Sequence, residues 1–172
     1  MTVVEKSLAR VLSKGNLRHD PLITSGADIV GALSFTTKLG SMLWRVKWGN
    51  DKNAVRPTAA LLSKKIAKKG ERQGRFLMRL AMIALQEYVD TRCHHCKGRG
   101  HVVNADRVVS SCTHCEGTGI ARISDQRRIR ALTCTEHAYL NGWKDRLAFA
   151  HNVLSEHDSD TGHVMRNQLK EQ

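Results

Sequence analysis

Cys93-His94-His95-Cys96-Lys97-Gly98-Arg99-Gly100 and Cys112-Thr113-His114-Cys115-Glu116-Gly117-Thr118-Gly119 are two copies of one cassette, C-x-x-C-x-G-x-G. A C-x-x-C turn brings two sulfurs within reach of a single ion. Residues 97–111 separate the two pairs, which is the spacing of a four-cysteine zinc site. A structural zinc takes four tetrahedral ligands. The expected set is Cys93, Cys96, Cys112 and Cys115 around one structural Zn2+. Past each pair the chain must turn back under the metal, and Gly98, Gly100, Gly117 and Gly119 accept positive φ there. Residues 101–109 read as two short strands around an Asn104-Ala105-Asp106 turn. The expectation is a small zinc-ribbon-like β-hairpin in mid-chain.

Other uses of these cysteines fit less well. A dithiol redox pair belongs near a βαβ pattern, and none is visible. A disulfide framework requires an oxidising compartment. The opening residues, Met1-Thr2-Val3-Val4-Glu5-Lys6, carry no apolar signal core, so a cytoplasmic location is expected. His94, His95, His101 or His114 could stand in for a sulfur ligand; with four cysteines in register they read as exposed polar positions. Cys134 lies outside the repeat and reads as a small core residue. Four protein ligands leave no open coordination position, so the metal argues for scaffold rather than catalysis. It would supply folding free energy to a stretch too short to build a core.

With 172 residues, 41% of them hydrophobic, the chain is long enough for one domain or two small lobes. No apolar run approaches eighteen residues, so no membrane span is expected. The formal charge of +12 points to polyanionic partners. It is unevenly spread. Between residues 51 and 79 stand Lys52, Arg56, Lys64, Lys65, Lys68, Lys69, Arg72, Arg75 and Arg79, against only Asp51 and Glu71. Such a run is often a solvated face. Its excess here favours a phosphate or acidic-protein contact.

Three regions follow from the patterning: a basic helical lobe over 1–90, the zinc module over 91–122, and a C-terminal helical unit over 123–172. Within the first, residues 5–14 read as a short helix, and Trp44 and Trp48 share a helical face. Pro57 and Thr58 open a clearer helix that Gly70 ends. A second runs from about Gln73 to Val89 with a wide apolar face, forming an αα-hairpin with the first.

After the zinc module, Ser124 is a good N-cap for a helix over Asp125–Leu132. Thr133-Cys134-Thr135 is a turn. A longer helix is expected over 136–156, with Leu140, Trp143, Leu147, Ala150 and Leu154 inward at spacings of 3 and 4. Helix, short turn, helix is the outline of a helix-turn-helix. Beside it lie Arg122, Arg127, Arg128 and Arg130, placed to hold phosphates and set register. Facing away from the apolar stripe, Glu136, His137, Tyr139, Asn141 and Lys144 would enter the major groove of duplex DNA. The last stretch, from Asp158 on, is polar, with a short helix near Val164, Met165 and Leu169.

The order of parts, a basic helical lobe, a doubled C-x-x-C-x-G-x-G cassette and an arginine-flanked helical pair, resembles the late-gene antitermination proteins Q of lambdoid phages. The likeness is best from Cys93 to about Leu154. It implies a protein, nucleoid-associated in the bacterial host, that binds DNA overlapping a phage late promoter. Such a protein engages RNA polymerase during a sigma-dependent pause and travels with it through terminators. It also implies zinc at Cys93, Cys96, Cys112 and Cys115, and DNA contacts within 122–144. Contacts to polymerase, and to nascent RNA near its exit, would fall on Lys64, Lys65, Lys68, Lys69, Arg72 and Arg75.

Two other classes stand beside it. The same cassette occurs in DnaJ-type chaperones, usually four times over two zincs; here it occurs twice, and His19-Asp20-Pro21 is not the His-Pro-Asp order of a J-domain. An enzyme would need paired carboxylates, a phosphate loop or a nucleophile constellation, and none stands out. A phage DNA-binding regulator without antitermination activity is the remaining alternative.

Overall fold

The computed structural model describes residues 26–68, 74–103, 107 and 109–169. The expected helix at 5–14, the 104–106 turn, Gly70, Lys69 and Arg72 lie outside them. The described chain is mainly helical with one small sheet. Its helices are α1 (Gly26–Ser34), α2 (Lys38–Lys47), α3 (Lys52–Ile66), α4 (Arg75–Val89), α5 (Asp125–Leu132) and α6 (Lys144–Gln168). Strands β1 (His101–Val103) and β2 (Val109–Ser111) pair antiparallel, with Val102 opposite Ser110.

Helix α3 starts five residues before the expected Pro57. Asp51 caps it, accepting from the Asn53 amide at 2.9 Å. Pro57 then costs only one bond, to the Asn53 carbonyl, close to an exposed helix start. Helix α4 matches its expected span apart from a two-residue shift at the start, and it packs on α3.

Among the described residues, the segments expected as separate units, 1–90 and 123–172, contribute to one core. Leu43 of α2, Leu62 of α3, Leu80 and Leu85 of α4, Leu132 of α5, and Leu147 and Leu154 of α6 are all buried in it. Cys134 is half-buried against the same cluster. The polar C-terminal stretch does not form a separate short helix. Helix α6 runs on to Gln168, and its Met165 joins Ile29, Leu33 and Trp44 in a second cluster. Helix α2 passes α6 so closely at Gly40 that a Cβ there would collide with Thr161.

The expected continuous helix over 136–156 is broken. Thr135 caps a single turn, Glu136–Ala138, and Tyr139–Trp143 is a π-turn. Asn141 and Gly142 leave helical geometry there, Gly142 at φ 151°. A π-turn holds an extra residue, which rotates the register. Tyr139 therefore points inward, fully buried, and Leu140, expected in the core, is 51% exposed.

Candidate metal centre and basic surface

The two cassettes fold into near-identical loops that face each other. In each, the residue after the second cysteine and the glycine that follows take positive φ: Lys97 and Gly98, then Glu116 and Gly117. The turn closes when the Gly98 amide donates to the Cys93 carbonyl at 3.1 Å, and Gly117 to Cys112 at 3.2 Å. The later glycine reaches back to sulfur. Gly100 N–H donates to Cys96 Sγ at 3.3 Å, and Gly119 N–H to Cys115 Sγ at 3.2 Å.

The loops are also laced to each other. Cys93 N–H donates to the Gly119 carbonyl and Cys112 N–H to the Gly100 carbonyl, both at 2.8 Å. Gly100 packs on the Gly117 carbonyl and Gly119 on the Gly98 carbonyl, with no room for a Cβ at either. At the base, Ala121 N–H donates to the Thr91 carbonyl and Arg92 bridges to Ile120. The hairpin β1–β2 stands on this frame.

The frame brings together all four expected ligand sulfurs, each within 4.8 Å of the others and all buried. Cys93 Sγ lies 4.0 Å from Cys112 Sγ, and Cys96 Sγ 3.7 Å from Cys115 Sγ. With metal–sulfur bonds of about 2.3 Å, the edge of a tetrahedral site is about 3.8 Å. The cysteines are free thiols, much too far apart for disulfides. Burial raises the cost of a thiolate at Cys96, but the Gly100 amide and the neighbouring sulfurs outweigh it and bring that thiol down to about 7. At Cys112 burial prevails and lifts the thiol to about 11. A divalent cation would offset half the charge of four thiolates and so favour holding all four in that form. The donor set, its spacing and its amide support therefore fit a metal ion. His94, His95, His101 and His114 are exposed and outside the set. His95 and His114, at equivalent cassette positions, stack with ring centres 4.3 Å apart.

The residues expected on the DNA face divide. Arg127, Arg130, Glu136, His137 and Asn141 are exposed. Arg122 is exposed and paired with Glu116. The other three are tied to acidic partners, Lys144 while still exposed. Arg128 donates to both carboxylate oxygens of Glu87, and to Asp125 at 3.2 Å. Tyr139 is buried and cannot read a base; its hydroxyl donates to Asp125 at 3.0 Å. Lys144 Nζ reaches the other Asp125 oxygen at 2.8 Å. Asp125 thus ties the start of α5 to the turn and to α6. The Glu87 carboxylate raises the Arg128 pKa, and Lys144 and Tyr139 lower that of Asp125.

On the basic stretch, Lys64, Lys65, Lys68 and Arg75 are exposed. Arg79 instead closes the C-terminus of α5, donating to the Leu132 carbonyl at 3.1 Å and to Thr133. Sequence reading missed Glu87 and Asp125 as hubs, and no pattern marks them. It also missed the break at Gly142, although Asn141-Gly142 is a turn dipeptide inside the expected helix.

No protein-family model matches this chain, and no curated protein matches it.

Proposed function

We propose that this chain is a phage late-gene antitermination factor of the Q type. It binds duplex DNA near a late promoter, engages host RNA polymerase with its sigma factor, and promotes terminator read-through. The observation that carries the reading is the four-sulfur cluster, with 4.0 and 3.7 Å edges, on a module that leads directly into a helix bearing exposed Arg127 and Arg130.

The metal is one structural Zn2+, since four thiolates in tetrahedral array select zinc or an iron–sulfur site, and the short edges suit a single ion. Cys93, Cys96, Cys112 and Cys115 hold it; its chemistry is to fix the module's fold. Arg122, Arg127 and Arg130 contact phosphates, and Glu136, His137 and Asn141 face the base edges. Lys64, Lys65, Lys68 and Arg75 form the contact with polymerase or emerging nucleic acid. Arg128 and Tyr139 hold this face in shape from behind, and Lys144 lies on it, paired with Asp125.

The test is in vitro transcription on a template carrying the phage late promoter and a downstream terminator. Added protein should raise read-through, and a template with the promoter-overlapping element scrambled should abolish the gain. Read-through that is unaffected on the intact template would overturn the antitermination reading. Duplex binding without read-through would instead favour a DNA-binding regulator.

A further inference from the structure

A groove of about 750 Å3 runs between the end of α3 and the start of α6. Lys65 and Lys68 line one wall, and Asn141, Trp143, Arg146 and Phe149 the other. Three observations meet there. The first is a bare aromatic ring: Phe149 is 50% exposed on a helix whose opposite face is buried. The second is cationic. Lys65, Lys68 and Arg146 line the groove, with Asp145 the acidic side chain among the described lining residues. The Arg146 guanidinium is held 4.7 Å from the centre of the Trp143 ring, which is backed by Phe76 at 4.1 Å. The third is the break at Asn141 and Gly142, which opens this end of the groove. A Cβ on Gly142 would touch nothing within 4 Å, so the bend does not serve to admit a neighbouring segment.

We propose that this groove binds a single strand of nucleic acid, one base stacking on Phe149 while Lys65, Lys68 and Arg146 take the flanking phosphates. A platform of exposed aromatics among cations is how unpaired strands are held, because every base offers a π-face. Duplex DNA keeps its bases stacked on each other and leaves none for Phe149. An acidic peptide would meet the positive charge but leave the ring bare. Arg146 is pre-oriented by its stack on Trp143, so less order is lost when a phosphate arrives. Asn141 offers an amide that both donates and accepts, suited to a base edge. The proposal deepens the polymerase-or-nucleic-acid contact assigned above to Lys65 and Lys68. Its test uses neither polymerase nor promoter, so its failure would leave the antitermination reading standing.

Binding of the full metal-loaded chain to labelled oligouridine, oligodeoxyuridine and a blunt DNA duplex is followed by fluorescence anisotropy. Phe149→Ala should weaken single-strand binding about tenfold, the scale of one base–aromatic stack, and Phe149→Tyr should restore it. Lys65→Gln with Lys68→Gln should flatten the salt dependence by about 1.4 in log–log slope, about 0.7 for each phosphate that a lysine neutralises. Duplex binding should be untouched by Phe149→Ala. Oligouridine against oligodeoxyuridine, which differ only in the sugar, identifies RNA or DNA as the strand. The proposal is overturned if neither strand binds the wild-type chain, if Phe149→Ala binds both as well as wild type, or if duplex binding falls in step.

Discussion

Arg128 sets a two-pronged bond on Glu87, its Nε and Nη2 donating to the two carboxylate oxygens at 3.0 and 2.9 Å, and so fastens α5 to α4. The Glu87 side chain is only 8% exposed, so the guanidinium offsets a desolvated charge. An arginine that reads from sequence as a phosphate contact is thus committed to the interior. Arg128→Ala would leave Glu87 buried with only the His151 imidazole, 3.4 Å away, beside it. The expected cost is about 2 to 3 kcal/mol, below the range for a fully buried pair because Arg128 keeps some solvent. Arg127→Ala and Arg130→Ala should stay within about 0.5 kcal/mol of wild type. Urea unfolding checks this; an Arg128→Ala midpoint equal to that of Arg127→Ala would show that the fork holds nothing.

The same division sets the expectation for DNA. If Arg127 and Arg130 meet phosphates, replacing both by Ala should lower the log–log salt slope of duplex binding by about 1.8, about 0.9 for each phosphate no longer neutralised. Affinity should fall alike on all sequences, since phosphates carry no base information. A slope equal to wild type would remove the two arginines from the interface.

The metal module makes a sharper demand on its glycines. Gly100 and Gly119 combine positive φ with direct packing on a carbonyl of the opposite loop. Gly98 has the same sign of φ, but a Cβ there would meet only the flexible Arg92 side chain at 3.4 Å. If the cluster holds zinc, Gly100→Ala and Gly119→Ala should therefore weaken its binding at least tenfold, with Gly98→Ala milder. Cys96→Ser should remove the bound ion and the exchange protection of the β1–β2 amides, leaving the helical core folded. Metal analysis with hydrogen exchange reads both effects; full zinc in purified Cys96→Ser protein would sink the ligand assignment.

How much of this was legible in the chain depended on the range of the interaction. The cysteine cassettes are local and periodic. Spacing alone picked out the four cysteines whose sulfurs lie within 4.8 Å of one another. Helix α4 was legible for the same reason, its apolar face repeating without interruption. The fusion of 26–89 with 125–168 was not, because nothing local says that Leu80 and Leu147 will share one core. Nor was the fate of Arg128: its partner, Glu87, lies 41 residues earlier. The broken helix was half legible. The 3–4 spacing of Leu140 to Leu154 fits a continuous helix, but the π-turn slips the register, and Tyr139 rather than Leu140 takes the core position. The Asn141-Gly142 pair carried the signal against that pattern.

Two histidines make stability depend on pH. Burial lowers the pKa of His151 below the ordinary value of 6.5; nearby Glu87 opposes this and Arg128 adds to it. Burial likewise lowers His157, helped by the Lys65 charge and opposed by Glu156 and Asp160, and its Nδ1 sits 3.0 Å from Thr37 Oγ1. Both are neutral in the fold at pH 7. In the unfolded chain they take up protons near pH 6.5, so between that value and their lower folded values the unfolded state binds more protons. Their contribution is therefore whole above about pH 6.5 and is lost as pH falls through the folded values. Acid also protonates metal-bound thiolates, so a falling wild-type curve alone would not implicate the histidines. The double variant His151→Gln, His157→Gln keeps the metal site and removes only the imidazoles. Its urea midpoint should fall less steeply from pH 7.5 to pH 5 than that of wild type, with equal zinc content at each pH. Parallel curves would show that the two imidazoles do not set the acid sensitivity.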